Sequence, residues 1–235
     1  MPYVTYGIIA LNALVFLFQI SLTNLGQYEF TLSYGLIPGM MGRVSAADIV
    51  AFHSNHLSQM YSQYVQLNAA PHSPIITIFT SMFMHGGWMH IIGNMWFLWL
   101  FGDNVEGSLG HVKYAVFYLL AGLAAGLAQI SIEPGSVYPM VGASGAIAGV
   151  LGAYMVRFPK ANVHVFIFLF IFFTTIMVPA YIVIGIWFLE QLTNGLGSLG
   201  LGTTGGVAWF AHIGGFLAGV GLERVFRRNR RLRWI

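Results

Sequence analysis

The sequence has no cysteine and few charges, and both absences limit what the protein can be. Without cysteine, neither disulfide bonds nor thiolate metal sites are available. Only 7% of the 235 residues are Asp, Glu, Lys or Arg, whereas a soluble domain carries roughly 25%. Hydrophobic residues make up 57% of the chain, and its mean hydropathy is +0.74. This composition excludes an ordinary soluble domain and indicates an integral membrane protein.

The apolar runs predict an all-α, polytopic membrane protein in which residues 1–235 form a single membrane-embedded domain. Runs of about 20 apolar residues cross a bilayer as helices, because lipid offers the backbone no other hydrogen-bond partner. Six spans are predicted, at residues 5–22, 76–101, 113–132, 144–157, 171–191 and 207–226. The fourth has only 14 residues, or about 21 Å of helix. It is too short for the roughly 30 Å hydrocarbon core.

Three connecting segments have their own predicted structures. Residues 23–73 form a long first loop, and we expect short helices at the membrane interface because structureless loops of such length are unusual. The apolar stretch 163–190 is too long for one upright helix, and Pro179 disfavours helical geometry just before it. We therefore expect an interfacial or re-entrant first part, followed by a helix broken or begun near Pro179. Residues 195–206 are rich in glycine and predict a flexible loop.

Lysine and arginine orient the predicted spans. If the N-terminus is cytoplasmic, the inner segments carry nine of the ten Lys and Arg residues, and the outer segments carry only Arg43. The positive-inside rule favours this orientation, with both termini in the cytoplasm and a bacterial inner membrane as the expected location. Six of the ten lie in the last twelve positions. The basic tail at 227–235 therefore predicts an anchor on anionic lipids rather than a nucleic-acid site.

Four polar side chains within the predicted spans lie at similar heights above the inner membrane boundary. The boundary is marked on each helix by a charged residue, Arg157, Arg224 or Asp103. At 1.5 Å per residue the heights are about 20 Å for Ser144, 18 Å for His212, 20 Å for His90 and 14 Å for Asn94. Polar groups inside hydrocarbon are costly unless they face one another or a water-filled cavity. A common depth therefore predicts a common site, opening toward the outer side of the membrane.

These residue types indicate nucleophilic catalysis. A serine hydroxyl is a weak nucleophile until a base removes its proton, and His212 is an imidazole on a different helix close to the depth of Ser144. Because no Asp or Glu shares this layer, we predict a Ser–His dyad without a third acid. The backbone N–H of Ser144 at a helix N-terminus, together with Asn94 and His90, would form an oxyanion hole.

The motifs around these residues resemble those of the rhomboid intramembrane serine proteases. The resemblance rests on HGGWMHIIGN at 85–94, GASG at 142–145 and AHIGG at 211–215, in matching order and spacing over about 76–219. It implies Ser144 as nucleophile, His212 as base, and Asn94, His90 and the Ser144 amide as oxyanion stabilisers. It also implies a transmembrane-helix substrate that partly unwinds and has a small residue before the scissile bond. The supporting residues would be His85, Gly142, Gly145 and Gly215.

Other functions remain open from the sequence. A rhomboid-like protein could bind membrane clients without cutting them, or the histidines could line a transporter. A zinc or haem site lacks Cys or carboxylate ligands at this depth, so we expect no metal and no cofactor. The first loop departs from the family pattern because it has no tryptophan and only Arg43. The histidines outside the motifs are interpreted as solvated interfacial residues, namely His53, His56, His72, His111 and His164.

Overall fold

The computed structural model describes residues 1–58, 62–63, 65–66, 69–169, 172–201 and 206–227. The helices before the motif segments are α1 (Tyr3–Ser21), α2 (Asn24–Tyr34), α3 (Ala46–Asn55) and α4 (Pro74–Thr80). The motifs lie on or beside α5 (Trp88–Leu109), α6 (His111–Ile132), α7 (Ser144–Arg157), α8 (Ala180–Leu201) and α9 (Trp209–Phe226). Between α7 and α8, β1 (Asn162–Leu169) and β2 (Phe172–Pro179) pair as an antiparallel hairpin.

Helix α7 forms the centre of the bundle. Its ten consecutive residues from Gly145 to Tyr154 are all buried, and it packs against α5, α6, α8 and α9. An apolar helix without a polar face is expected to be buried on every side. The predicted fourth span coincides with α7 at both ends. Its 14 residues suffice because protein rather than lipid surrounds it.

Small residues let α7 and α9 approach until their backbones touch. A Cβ at Gly215 would lie 2.0 Å from the carbonyl oxygen of Gly145, and a Cβ at Gly219 would lie 1.9 Å from that of Gly149. These distances are far below ordinary van der Waals contact, so the two positions accept only glycine without a shift of the helices. Small residues spaced along both helices predict this close packing: Ser144, Ala148 and Gly152 on one, and Gly214, Gly215 and Gly219 on the other.

By length and composition, three described helices could cross a membrane: Tyr3–Ser21, His111–Ile132 and Ala180–Leu199. A fourth span is possible if Pro74–Phe83 and Trp88–Leu109, which meet at 83°, count as one. The mostly helical membrane bundle is confirmed, whereas the count of six spans stays a prediction. Predicted span 76–101 needs correction, because the chain bends between the two helices and α5 continues to Leu109.

The fifth predicted span also differs from the structure. The apolar segment after α7 forms the β-hairpin, and α8 begins at Ala180, directly after Pro179. The helix thus begins where Pro179 predicts, nine residues after the predicted span limit of 171. It continues to Leu201, through much of the predicted loop 195–206. Residues 170–171 and 202–205, and the basic tail beyond 227, lie outside the described residues. A short apolar run does not by itself distinguish a strand from a helix.

The first loop folds into helices and packs against the segment that precedes α7. Leu36 pairs with Met140 through two backbone hydrogen bonds. His53 is buried and not solvated as predicted: its Nδ1 lies 2.7 Å from the Tyr28 hydroxyl and its Nε2 lies 2.9 Å from the carbonyl oxygen of Val137. Burial lowers the pKa of His53 from its ordinary value of 6.5. The first loop thereby supports the segment that leads to Ser144.

Candidate active site

Ser144 is the first residue of α7, and a glycine just before it shapes the approach to its hydroxyl. Gly142 has φ = 134°, a conformation that glycine adopts at little cost, and its N–H donates to the carbonyl oxygen of Ser81 at 2.9 Å. A Cβ at Gly142 would lie 2.7 Å from Nε2 of His90. The glycine therefore brings the His90 ring beside the N-terminus of α7, where the helix dipole favours negative charge.

His212 in the first turn of α9 faces Ser144. The distance from its Nε2 to Oγ of Ser144 is 2.8 Å, a normal hydrogen-bond length. The start of α9 is held by Gln129 on α6, whose side-chain oxygen accepts from the N–H of Ala211 at 3.1 Å. The backbone contact between α7 and α9 then fixes the distance between the two side chains. The structure thus brings together the two residues that the common depth predicts.

The second nitrogen of the His212 ring has a partner that the sequence analysis does not name. Its Nδ1 lies 2.7 Å from Oε1 of Gln191 on α8. Gln191 is only 3% exposed, and its Nε2 donates to the carbonyl oxygen of Trp187, one turn earlier, at 3.2 Å. The indole of Trp187 lies 6.0 Å from the imidazole, centre to centre. The signal in the sequence is a glutamine at the end of the apolar run that begins at Ala180, beside the exposed Glu190.

Helix α5 carries His90 and Asn94 four residues apart, so both project from one face. Nδ1 of His90 accepts from the N–H of Gly86 at 3.3 Å, and a neutral ring therefore carries its proton on Nε2, the atom beside Gly142. Asn94 is buried, and its Nδ2 has no hydrogen-bond partner within the described residues. Two donors, one on each side chain, are thus available at this face of α5.

His85 is buried before the start of α5, where its ring lies edge-on to that of His90 with 5.0 Å between centres. Gln19 of α1 holds the His85 backbone: its Oε1 accepts from the N–H at 3.0 Å and its Nε2 donates to the carbonyl oxygen at 3.4 Å. Gln19 lies outside the motifs, and its signal in the sequence is a glutamine within the apolar run of α1. The ring of His85 thus contacts that of His90, and its predicted supporting role stays a prediction.

A cavity of about 500 Å³ opens onto these residues. Its wall includes Ser144, His212, His90 and Gly142, together with apolar side chains such as Met82 and Ala146. Within the described residues, no three His, Cys, Asp or Glu side chains are grouped as a metal ion would require. A serine and an imidazole at hydrogen-bond distance, beside a helix N-terminus and open to a cavity, form an arrangement that can perform acyl transfer.

Comparison with known proteins identifies relatives of this chain. The Rhomboid domain family matches residues 72–229, which include every motif named above. The chain is 32% identical over 155 residues to "Rhomboid protein 1, mitochondrial" of Saccharomyces cerevisiae, a match covering 62% of this chain and 40% of the yeast protein. It is 28% identical over 149 residues to "RHOMBOID-like protein 1" of Arabidopsis thaliana, covering 63% and 34% of the two chains.

A bacterial relative carries a name that states an activity. The chain is 37% identical over 78 residues to "Rhomboid protease GluP" of Bacillus subtilis, a match covering 33% of this chain and 15% of the Bacillus protein. The matched region spans less than half the length of each of these three relatives.

Proposed function

The chain belongs to the rhomboid family, and on that premise we propose that it is an intramembrane serine endopeptidase with Ser144 as nucleophile and His212 as base. The observation that carries the proposal is the 2.8 Å contact between Nε2 of His212 and Oγ of Ser144 at the N-terminus of α7. A serine and an imidazole at hydrogen-bond distance, with oxyanion donors nearby, form the minimum unit for covalent acyl transfer.

The proposed reaction has two halves. Nε2 of His212 takes the proton of Ser144 as Oγ attacks the peptide carbonyl carbon, and the imidazolium then gives this proton to the leaving amine. An ester on Ser144 and a free amino terminus result. His212 then takes a proton from water, which attacks the ester, and returns this proton to Oγ of Ser144 as the new carboxyl terminus is released.

The negative oxygen of each tetrahedral intermediate needs hydrogen-bond donors. We assign this role to the backbone N–H of Ser144, Nδ2 of Asn94 and Nε2 of His90. Support comes from the unpartnered Asn94 amide, from the Gly86 bond that leaves the His90 proton on Nε2, and from the approach of His90 to Gly142. Each oxyanion donor contributes roughly 10²–10³ in rate.

The proposed substrates are transmembrane segments of other proteins. A helix hydrogen-bonds its own peptide groups and surrounds them with side chains, so a segment must unwind locally before a carbonyl reaches Ser144. The cavity of about 500 Å³ has room for a short extended stretch, and by family resemblance we expect a small residue before the scissile bond. His85, Gly142, Gly145 and Gly215 would support this geometry without touching the substrate.

We propose the orientation given by the positive-inside rule, with both termini cytoplasmic, the cavity opening to the outer side and the basic tail on anionic lipids. A bacterial inner membrane is the proposed location, supported by the same charge asymmetry. The printed names of the relatives include both bacterial and mitochondrial proteins. The proposed orientation is checked by protease protection of tags fused to either terminus.

Labelling with a fluorophosphonate probe tests the proposed chemistry, because the reagent reacts with an activated serine. We expect the detergent-solubilised wild type to be labelled and the variants Ser144→Ala and His212→Ala to lose the label. Ser198→Ala is the matched control: this serine also lines the cavity, but its hydroxyl donates to the carbonyl oxygen of Gly195 at 2.7 Å. Folded wild type that fails to label would refute the protease and favour a client-binding protein.

A further inference from the structure

The orientation of the Gln191 side chain follows from its two hydrogen-bond partners. The carbonyl oxygen of Trp187 can only accept a hydrogen bond, so the amide nitrogen of Gln191 must face it, at 3.2 Å. The amide oxygen is then the atom 2.7 Å from Nδ1 of His212. Since this oxygen can only accept, the neutral imidazole must carry its proton on Nδ1.

We propose that Gln191 is a positioning residue that holds His212 in the tautomer with hydrogen on Nδ1 and a free lone pair on Nε2. The proposal rests on the proposed function, because that lone pair is what receives the Ser144 proton. In the other tautomer Nε2 would carry a hydrogen toward Oγ of Ser144, and the histidine could not act as its base. Gln191 thereby does with a neutral amide what a carboxylate does in a triad.

A neutral acceptor fits this location better than an acid. Gln191 is 3% exposed, and the helix that carries it is long and apolar enough to cross a membrane. An ionised carboxylate there would carry a large desolvation cost during the part of the cycle in which His212 is uncharged. The amide satisfies both of its own polar atoms and adds no charge. Neutral His212 and Gln191 therefore form a stable resting pair.

The same contacts could instead serve only to attach α8 to α9, and the two roles predict different results. A structural attachment predicts loss of stability with little change in the tautomer of His212 or in the pH profile. A positioning role predicts a lower rate in a folded protein, because the fraction of His212 in the competent tautomer falls. Trp187 and Phe188 also pack their rings on α9 through Phe216, at 6.3 and 4.2 Å. The attachment therefore survives loss of the glutamine.

The experiment compares Gln191→Met, which removes the acceptor at similar volume, with Gln191→Glu, which keeps an acceptor and adds charge. We expect Gln191→Met to slow fluorophosphonate labelling by roughly 10²-fold in a protein that stays folded, with its thermal midpoint lowered only by the loss of one buried hydrogen bond. Gln191→Glu should restore much of the rate, and the acid limb of its pH profile should move to higher pH because a carboxylate stabilises the imidazolium. Glu190→Gln, exposed on the same helix, is the control and should match the wild type.

Nitrogen-15 NMR of labelled histidine supplies a measurement that does not depend on activity. We expect wild-type His212 to show a protonated Nδ1 and an unprotonated Nε2, and Gln191→Met to shift this population. A wild-type His212 protonated on Nε2, or a Gln191→Met variant with wild-type rate and tautomer, would overturn the proposal. Labelling absent from wild-type protein would refute the protease itself, so the two failures are distinguishable.

Discussion

Alanine at Gly215 tests whether the close approach of α7 and α9 sets the distance between Ser144 and His212. A Cβ there would lie 2.0 Å from the carbonyl oxygen of Gly145, whereas ordinary contact begins at 3.4 Å. The two helices must therefore separate locally by about 1.4 Å. Gly145 adjoins Ser144, and His212 lies within one turn of Gly215, so the 2.8 Å hydrogen bond lengthens toward about 4 Å.

A displacement of about 1 Å at reacting atoms costs roughly 10² in rate, and overpacking of a closely packed core costs about 1–3 kcal/mol. We expect Gly215→Ala to be labelled at least roughly 10²-fold more slowly than the wild type and to unfold at a lower temperature. The assay is the second-order rate of fluorophosphonate labelling, with the thermal midpoint measured in the same detergent.

Gly221→Ala supplies the matched control on α9, because a Cβ at Gly221 meets nothing within 4 Å. It should label at the wild-type rate and gain up to about 1 kcal/mol, since alanine favours a helix more than glycine does. If Gly215→Ala labels and unfolds as Gly221→Ala does, the backbone contact between the helices does not control the dyad.

Two further predictions concern the first loop and the turn before α7. Burial lowers the pKa of His53 below 6.5. Between the folded pKa and 6.5, the unfolded loop therefore binds a proton that the folded loop does not. The stability of the loop is highest above pH 6.5 and falls as the pH drops from 6.5 toward the folded pKa. Hydrogen exchange of α3 at pH 5 and 7.5 should show this slope in wild type and in His56→Gln, but not in His53→Gln. Gly142→Ala should be labelled roughly 10²-fold more slowly than the wild type, because φ = 134° strains an alanine and its Cβ would lie 2.7 Å from His90. Gly135→Ala should be labelled at the wild-type rate, because a Cβ there meets nothing within 4 Å. Equal rates for the two variants would contradict the steric argument.

Much of the candidate site follows from the sequence because its signals are local. Polar residues are rare in apolar spans, and the number of residues between each of them and the charge at the helix end gives its height in the membrane. Ser144 and His212 have matching heights by this count, and Oγ of the serine lies 2.8 Å from Nε2 of the histidine. The bounds of α7 are equally readable, since a glycine-rich motif begins it and Arg157 ends it. Small residues on the two helices predict their close packing, as the contact between Gly215 and Gly145 bears out.

The parts that sequence reasoning missed depend on direction or on distant partners. Residues 162–179 are mostly apolar, and an apolar run of this kind fits a strand as well as a helix. Their pattern therefore does not predict the β-hairpin. The 83° bend between α4 and α5 arises in a short segment with Gly86 and Gly87, where no charge or proline marks the break. His53 looks like a solvated loop residue until Tyr28 and Val137 enclose it.

Three glutamines, one each on α1, α6 and α8, share a role that explains how the site forms without acids. Gln19 binds the backbone of His85, Gln129 the N–H of Ala211, and Gln191 the ring of His212. An amide both donates and accepts, so each can fix a polar group in apolar surroundings without adding a charge. In the proposed reaction, the charges that appear are the imidazolium of His212 and the oxyanion on the acyl carbon. These two charges form together and a few ångströms apart, so each stabilises the other. A permanent carboxylate would add a third buried charge to a pair that is neutral as a whole.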